Sequence, residues 1–276
     1  MSAIPPQRLM SNRGGGCVEE VQIVSAPPNE HVLRVRAPVG VADQILLLDP
    51  SYAGTILQTG RLVLRGKGLS VGTPINELLG TLQGVLTVPA AGGVDYALAL
   101  DWTKQPVDGQ APHSWPNTRI GDLVHRGKYW YKGSESSSQL RQVGRALTDE
   151  LVTLINQHPL LRHANVVAAP PGHDAKVLSF GARLAASVAS RREVHFEAVR
   201  SLSAFRTQAK ELELADRAGV IHGQFACDGD LRGADVVIVD DLYSSGTTVG
   251  ETARVLRLAG ARRVAVLCAV RTLKSR

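Results

Sequence analysis

Between Val21 and about Trp102 the apolar positions come in short runs broken by turn residues: VQIV, HVLRVR, QILLLD, RLVLR and VDYALALDW. HVLRVR and DYALALDW alternate apolar with polar positions, the period of a half-buried strand. PP, DPS, GKG and AAGG fall between the runs and carry turn and loop chemistry. The pattern predicts a β-rich N-terminal region with one helix, around INELLGTL. KQPVDGQAPHSWPN, from Lys104 to Asn117, is rich in Pro and polar residues and reads as a linker.

Beyond the linker the period changes. In SQLRQVGRALTDELVTLINQ, Leu140, Val143, Leu147, Leu151, Leu154 and Ile155 recur at three and four, one face of a helix. NVVAAPP reads as a short buried strand ended by prolines, and DAKVLSFGARLAASVASR as a helix with Asp174 at its N-cap. EVHFEAVRSL, DVVIVDD and RRVAVLCAV read as further strands. ELELADRAGVI and TTVGETARVLRLAG read as helices, the second stopped by Gly260. Apolar strands alternating with helices predict an α/β fold, a parallel twisted sheet covered on both faces. The expected organisation is a disordered lead-in over 1–17, a β-rich domain over 18–110 and an α/β domain over 111–276.

Composition narrows the class. At 276 residues and 44% hydrophobic, the chain is long enough to bury a substantial core. No stretch approaches the roughly 20 apolar residues of a membrane helix, and MSAIPPQRLMSNRGGG carries no apolar secretory core. Cys17, Cys227 and Cys268 form neither a disulfide framework nor a metal-binding pair, which fits a reducing cytoplasm. The net charge of +6 favours an anionic partner, but the basic residues are interspersed with acids as on a solvated surface. GRLVLRGKG has the wrong spacing for a phosphate loop, and Gly68 follows Lys67 where Ser or Thr is required.

The chemistry concentrates in VVIVDDLYSSGTT. An apolar strand runs into Asp240 and Asp241, and Ser244 to Thr248 then lead into a helix. In open parallel sheets ligands bind at the carboxyl ends of the strands. Backbone N–H groups at a helix N-terminus, with small hydroxyls, hold phosphate, and Gly246 permits a positive φ. Ionised carboxylates only accept hydrogen bonds. One ligand satisfies both groups if it presents hydroxyls about a sugar width from a phosphate, as a ribose 5-phosphate does. Two other loops reach the same end of the sheet: PPGHD, and the basic SAFRTQAK.

VVIVDDLYSSGTT resembles the 5-phosphoribosyl 1-diphosphate (PRPP) motif of type I phosphoribosyltransferases, with serines at 244 and 245 where threonines are commoner. Within that superfamily, TQAKELELADRAGVIHGQF and GKYWYKG resemble the ComF-like, competence-protein branch. Val220 stands where that branch has Asn, HDAKVLSFGARL replaces an Arg-Gly-Phe-Asn stretch, and the cysteines of its zinc ribbon are missing. The resemblance covers roughly residues 120 to 276. It implies transfer of phosphoribose from PRPP, with displacement of pyrophosphate, to an unidentified nitrogen acceptor. Mg²⁺ would be bound through the pyrophosphate. Asp240 and Asp241 would hold the ribose hydroxyls and favour a cationic transition state. Ser244, Ser245, Gly246, Thr247 and Thr248 would hold the 5-phosphate. Gly172, His173, Lys176, Arg200, Arg206 and Lys210 are the candidates for pyrophosphate; for the charged ones the alternative is an ordinary solvated loop. Purine-salvaging relatives place a carboxylate at the position of Ser244, so the group that would take the acceptor's proton is missing here. Tyr243 either lines the acceptor pocket or packs at the strand end, and Tyr129 and Trp130 either stack on a base or pack on a helix. The resemblance leaves open a second function, a non-catalytic PRPP sensor or nucleic-acid-associated protein, and a homodimeric form; no membrane partner is expected.

Overall fold

The computed structural model describes residues 15–26, 29–57, 61–129, 137–172, 178–203 and 221–273. Its centre is a six-stranded sheet in the order β5-β6-β12-β11-β7-β8: β5 (Leu86–Val88), β6 (Tyr96–Trp102), β7 (Val166–Ala169), β8 (His195–Ala198), β11 (Asp235–Tyr243) and β12 (Arg263–Arg271). All neighbours pair in parallel except β5, which runs antiparallel to β6 at the edge. Continuous apolar runs such as VVIV in β11 and VAVLCAV in β12 suit strands that are covered on both faces.

One face carries Val237, Val239, Leu267 and Leu98 and packs under α3 (Arg119–Tyr129), α4 (Ser137–Gln157) and α5 (Phe180–Arg192). The opposite face carries Ile238, Val266 and Cys268 and packs under α6 (Thr247–Leu258), through Val249, Ala253, Val255 and Leu256. α4 buries Val143, Leu147, Leu151, Leu154 and Ile155, the stripe its spacing predicts. Gly260 follows α6 with φ +98, a conformation glycine tolerates and side-chain-bearing residues resist.

The N-terminal strands β1 (Glu20–Ala26), β2 (Glu30–Arg36), β3 (Ala53–Leu57) and β4 (Arg61–Lys67) form an antiparallel sheet ordered β1-β2-β4-β3. Leu33, Val35, Leu62 and Leu64 point inward while Arg34, Arg36, Arg61 and Arg65 stay exposed, the alternation read from the sequence. Their core is continuous with the helical face of the central sheet. α1 (Gly40–Leu48) and α2 (Thr73–Leu82) lie in this region.

Several expectations change. QILLLD reads as a strand but lies in α1, because an unbroken apolar run carries no period that separates a buried strand from a buried helix. The N-cap of α5 is Ser179, whose Oγ accepts from the Ala182 N–H; Asp174 lies outside the described residues. The predicted linker folds back on itself. Lys104 pairs with Asn117, and the Trp115 indole N–H lies 3.1 Å from the carbonyl oxygens of both Val107 and Gln110. VDYALALDW enters the central sheet as β6, beside β12, although it precedes residue 110. Of the lead-in, 1–14 lie outside the described residues, while Gly16 exchanges backbone hydrogen bonds of 3.0 and 2.8 Å with Thr87. The helix read at ELELADRAGVI falls, up to Val220, outside the described residues.

A buried histidine joins the N-terminal region to the rest. His158, just beyond α4, is fully buried; its Nε2–H donates to Gln44 Oε1 of α1 at 2.9 Å. Nδ1 accepts from the N–H groups of Leu160 and Leu161, both at 3.3 Å, and the ring stacks on Tyr96 of β6. Burial holds its pKa down at about 3.

Candidate active site

Asp240 and Asp241 lie within β11, not beyond its end. Pairing with β12 continues through Leu242 opposite Val270 and Tyr243 opposite Arg271. The apolar run stops at Val239, but the neighbouring strand keeps the backbone extended for four more residues. The register of β7 on β11, Val236 to Val166 and Ile238 to Ala168, carried forward two residues brings Asp240 level with Pro170. The start of the PPGHD loop and the acid pair thus share the carboxyl end of two adjacent parallel strands.

The two acids have different surroundings. Asp241 is buried, and its Oδ2 accepts from Lys128 Nζ of α3 at 2.7 Å. Asp240 Oδ1 accepts from the Asp241 backbone N–H at 2.8 Å. Burial, and next the neighbouring Asp241 charge, push the Asp240 carboxyl well above the usual carboxylate range. Gly181, in the first turn of α5, packs so closely that a Cβ there would collide with Asp240 Oδ1. Glycine at 181 is what lets the helix backbone approach the carboxylate.

After Tyr243 the chain turns through Ser244 and Ser245 into Gly246, which has φ +81 and begins α6 with no side-chain cap. Ser245 Oγ and Thr247 Oγ1 lie 2.9 Å apart, and Thr247 and Thr248 occupy the first helical turn. The Thr247 N–H reaches Ser245 Oγ at 3.4 Å, and with no side-chain cap from Gly246 the next N–H groups of the helix start are directed at whatever anion lies in the loop. The loop is braced from below. The Arg271 guanidinium donates to the Ser244 carbonyl and lies over the Tyr243 ring, 5.0 Å from its centroid. Tyr243 is buried, and its hydroxyl donates to the Pro89 carbonyl at 2.6 Å. Tyr243 therefore packs at the strand end.

A Cβ on Gly246 would meet the Tyr243 hydroxyl at 2.5 Å and Ala91 Cβ at 3.0 Å. Gly246→Ala is expected to cost about 1–3 kcal/mol, from the left-handed backbone and the steric conflict together. The denaturant midpoint measures it; an unchanged midpoint would mean that the loop rearranges freely.

The remaining predicted residues are distributed as follows. Gly172 lies in the loop after β7. Arg200 is in β9 (Arg200–Ser201), which pairs with β10 (Phe225–Ala226); its Nε and a terminal nitrogen grip Asp228 at 2.6 and 2.9 Å. His173, Lys176, Arg206, Lys210 and Trp130 lie outside the described residues, as does the side chain of Tyr129. Among the described residues no group of three or more His, Cys, Asp or Glu side chains comes together as a metal cage. None of their helices is long and apolar enough to cross a membrane.

Two residues at the site had no role assigned from sequence. Lys128 sits inside GKYWYKG, quoted only for its resemblance. Arg271 ends β12 and carries no local signal beyond a charge after an apolar run.

Comparison with known proteins gives one family match: residues 177–276 fit the family model described as a phosphoribosyl transferase domain. No curated protein sequence matches significantly. Solved structures similar to this chain include a purine phosphoribosyltransferase from Pyrococcus horikoshii, at 16% identity over 51% of this chain and 87% of that one, with TM-score 0.32. Adenine phosphoribosyltransferase from Leishmania tarentolae aligns at 9% identity, 67% and 94% coverage and TM-score 0.35. Phosphoribosylpyrophosphate synthetase from Mycobacterium smegmatis aligns at 14% identity, 86% and 78% coverage and TM-score 0.34.

Proposed function

We propose that the chain is a phosphoribosyltransferase of the type I superfamily, ComF-like in its branch, that uses PRPP as donor. The observation that carries this reading is the acid pair in β11 standing one short loop before an uncapped helix start with Gly246 at φ +81. Within the matched segment, the family model supplies independent support.

In this reading the ribose 2′ and 3′ hydroxyls donate to Asp240 and Asp241, and the 5-phosphate accepts from the N–H groups and hydroxyls of Ser244 to Thr248. Lys128 holds Asp241 in place before the sugar arrives, through its 2.7 Å contact with Oδ2. In the reaction the bond from C1 to the pyrophosphate oxygen breaks, the pyrophosphate leaves with the bonding pair, and a nitrogen of the acceptor bonds to C1. Positive charge that develops on the sugar is stabilised by the acid pair, in a site already arranged to receive it. Mg²⁺ fits as a substrate-borne ion. Its oxygens would come from pyrophosphate and water, the acid pair being taken up by the ribose hydroxyls and Lys128. When bound, it would neutralise the leaving group. Gly172, His173, Lys176, Arg200, Arg206 and Lys210 remain the candidates to share that task; for Arg200 it requires release of Asp228.

Calorimetric titration with PRPP in the presence of Mg²⁺ is expected to give one saturable site per chain. A screen of nitrogen acceptors for pyrophosphate release then identifies the second substrate. No binding heat at millimolar PRPP would sink the proposal. Binding with no pyrophosphate release from any acceptor would reduce it to a sensor.

A further inference from the structure

α4 and α5 border a groove of about 810 Å³, one end of which, at Gly127 and Phe180, adjoins Lys128 and Gly181 beside the acid pair. Its lining sets arginines around a floor of small and apolar residues. Arg141 and Arg145 stand one turn apart on α4; Arg183 and Arg191 stand on the facing stripe of α5. All four are exposed. Arg191 is paired with Asp149 at 3.0 Å, while among the described residues neither Arg141 nor Arg145 is paired with a carboxylate. Glu193, at the far end, is the lone acid of the lining. Gly144 and Ser187 keep the floor low, and Leu140 and Phe180 make one end apolar.

Two arginines whose backbone positions lie about 6 Å apart along a helix, with further ones opposite, can supply the forked recognition of phosphate oxygens. The volume exceeds that of a phosphate ion and lies in the roughly 300–1,000 Å³ range of small-molecule sites. The apolar end offers a surface for a flat ring. We infer that this groove is a second ligand site, for a nucleoside phosphate, with the phosphates on Arg141 and Arg145 and the base toward Leu140 and Phe180. The inference stands on the groove alone and is independent of PRPP binding by the acid pair.

ADP serves as the probe, in equilibrium dialysis with the full-length chain. Binding to wild type is expected to persist in Asp240→Asn/Asp241→Asn and to weaken at least tenfold in Arg141→Ala/Arg145→Ala. Circular dichroism and thermal midpoint report that the arginine variant, changed only at exposed positions, remains folded. Three results overturn the inference: no ADP binding to wild type at millimolar concentration, ADP binding that falls with the acid-pair variant, or ADP binding unaffected by the arginine variant. Sedimentation adds a fourth. A wild-type dimer that the arginine variant converts to monomer means that a second copy covers the groove.

Discussion

Asp240→Asn/Asp241→Asn is expected to weaken PRPP binding by about 10²–10⁴-fold and to abolish PRPP-dependent pyrophosphate release, with the fold retained. The magnitude follows from two charge-assisted hydrogen bonds to the ribose, each about 1.5–3 kcal/mol. Asparagine keeps an acceptor oxygen but turns the second oxygen into an NH₂ donor, which faces a hydroxyl proton instead of accepting it. The substitutions are tolerable structurally for different reasons at the two positions. Asp240 Oδ1 accepts from the Asp241 backbone N–H, a role that an asparagine oxygen keeps. The change at position 241 leaves Lys128 without its carboxylate, but that lysine side chain is 36% exposed and water can solvate it. Calorimetry with PRPP and a pyrophosphate-release assay make the measurement, with circular dichroism as the check on folding. Unchanged turnover in the double variant would show that the acids only shape the strand.

The second large effect is a loss of stability in mild acid, traced to His158. Its folded-state pKa is depressed to about 3 by burial, against roughly 6.5 in the unfolded chain. The unfolded state therefore binds a proton that the folded state refuses. Stability is full above pH ~6.5 and falls by about 1.4 kcal/mol per pH unit below it, the decline continuing toward pH ~3. At pH ~4.5 this single group accounts for about 2.7 kcal/mol. Asp240 acts in the opposite sense. Its raised pKa means that the folded state takes up a proton first, so it adds stability as pH falls through the same window. The total pH profile mixes these terms, so the informative quantity is the difference between wild type and His158→Gln. Urea unfolding at pH ~7.5 and ~4.5 should show that difference shrinking by about 2.7 kcal/mol. Parallel curves would mean that His158 is protonated in the folded protein.

The two predictions mark what was legible in the sequence. The acid-bearing strand and the turn into α6 could be read because they are contiguous: strand, acids, small residues and helix follow one another directly. The parallel sheet and its covering helices were legible from period alone, as the stripe of α4 shows. What lay hidden depends on pairing between distant segments. Lys128 reaches Asp241 across 113 positions, and nothing in a lysine's neighbours reveals its partner. His158 reads as one more polar residue after a helix, and only the fold seals it against Gln44. The assignment of QILLLD failed for lack of a period. The role of β6 was missed because alternation identifies a strand without telling which sheet it joins.

The placement of β6 has a consequence for how the molecule can be divided. Strands that begin before residue 110 flank β12 on one side, and the whole of β12 beyond its first residue is buried. A fragment starting at residue 111 would retain the acid pair and the turn into α6 yet present β12 as a naked, apolar border, inviting self-association into insoluble material. The segment that holds the acid pair is thus not portable. Fusion, grafting or truncation must carry the first hundred residues along, and melting should proceed as one cooperative event rather than two.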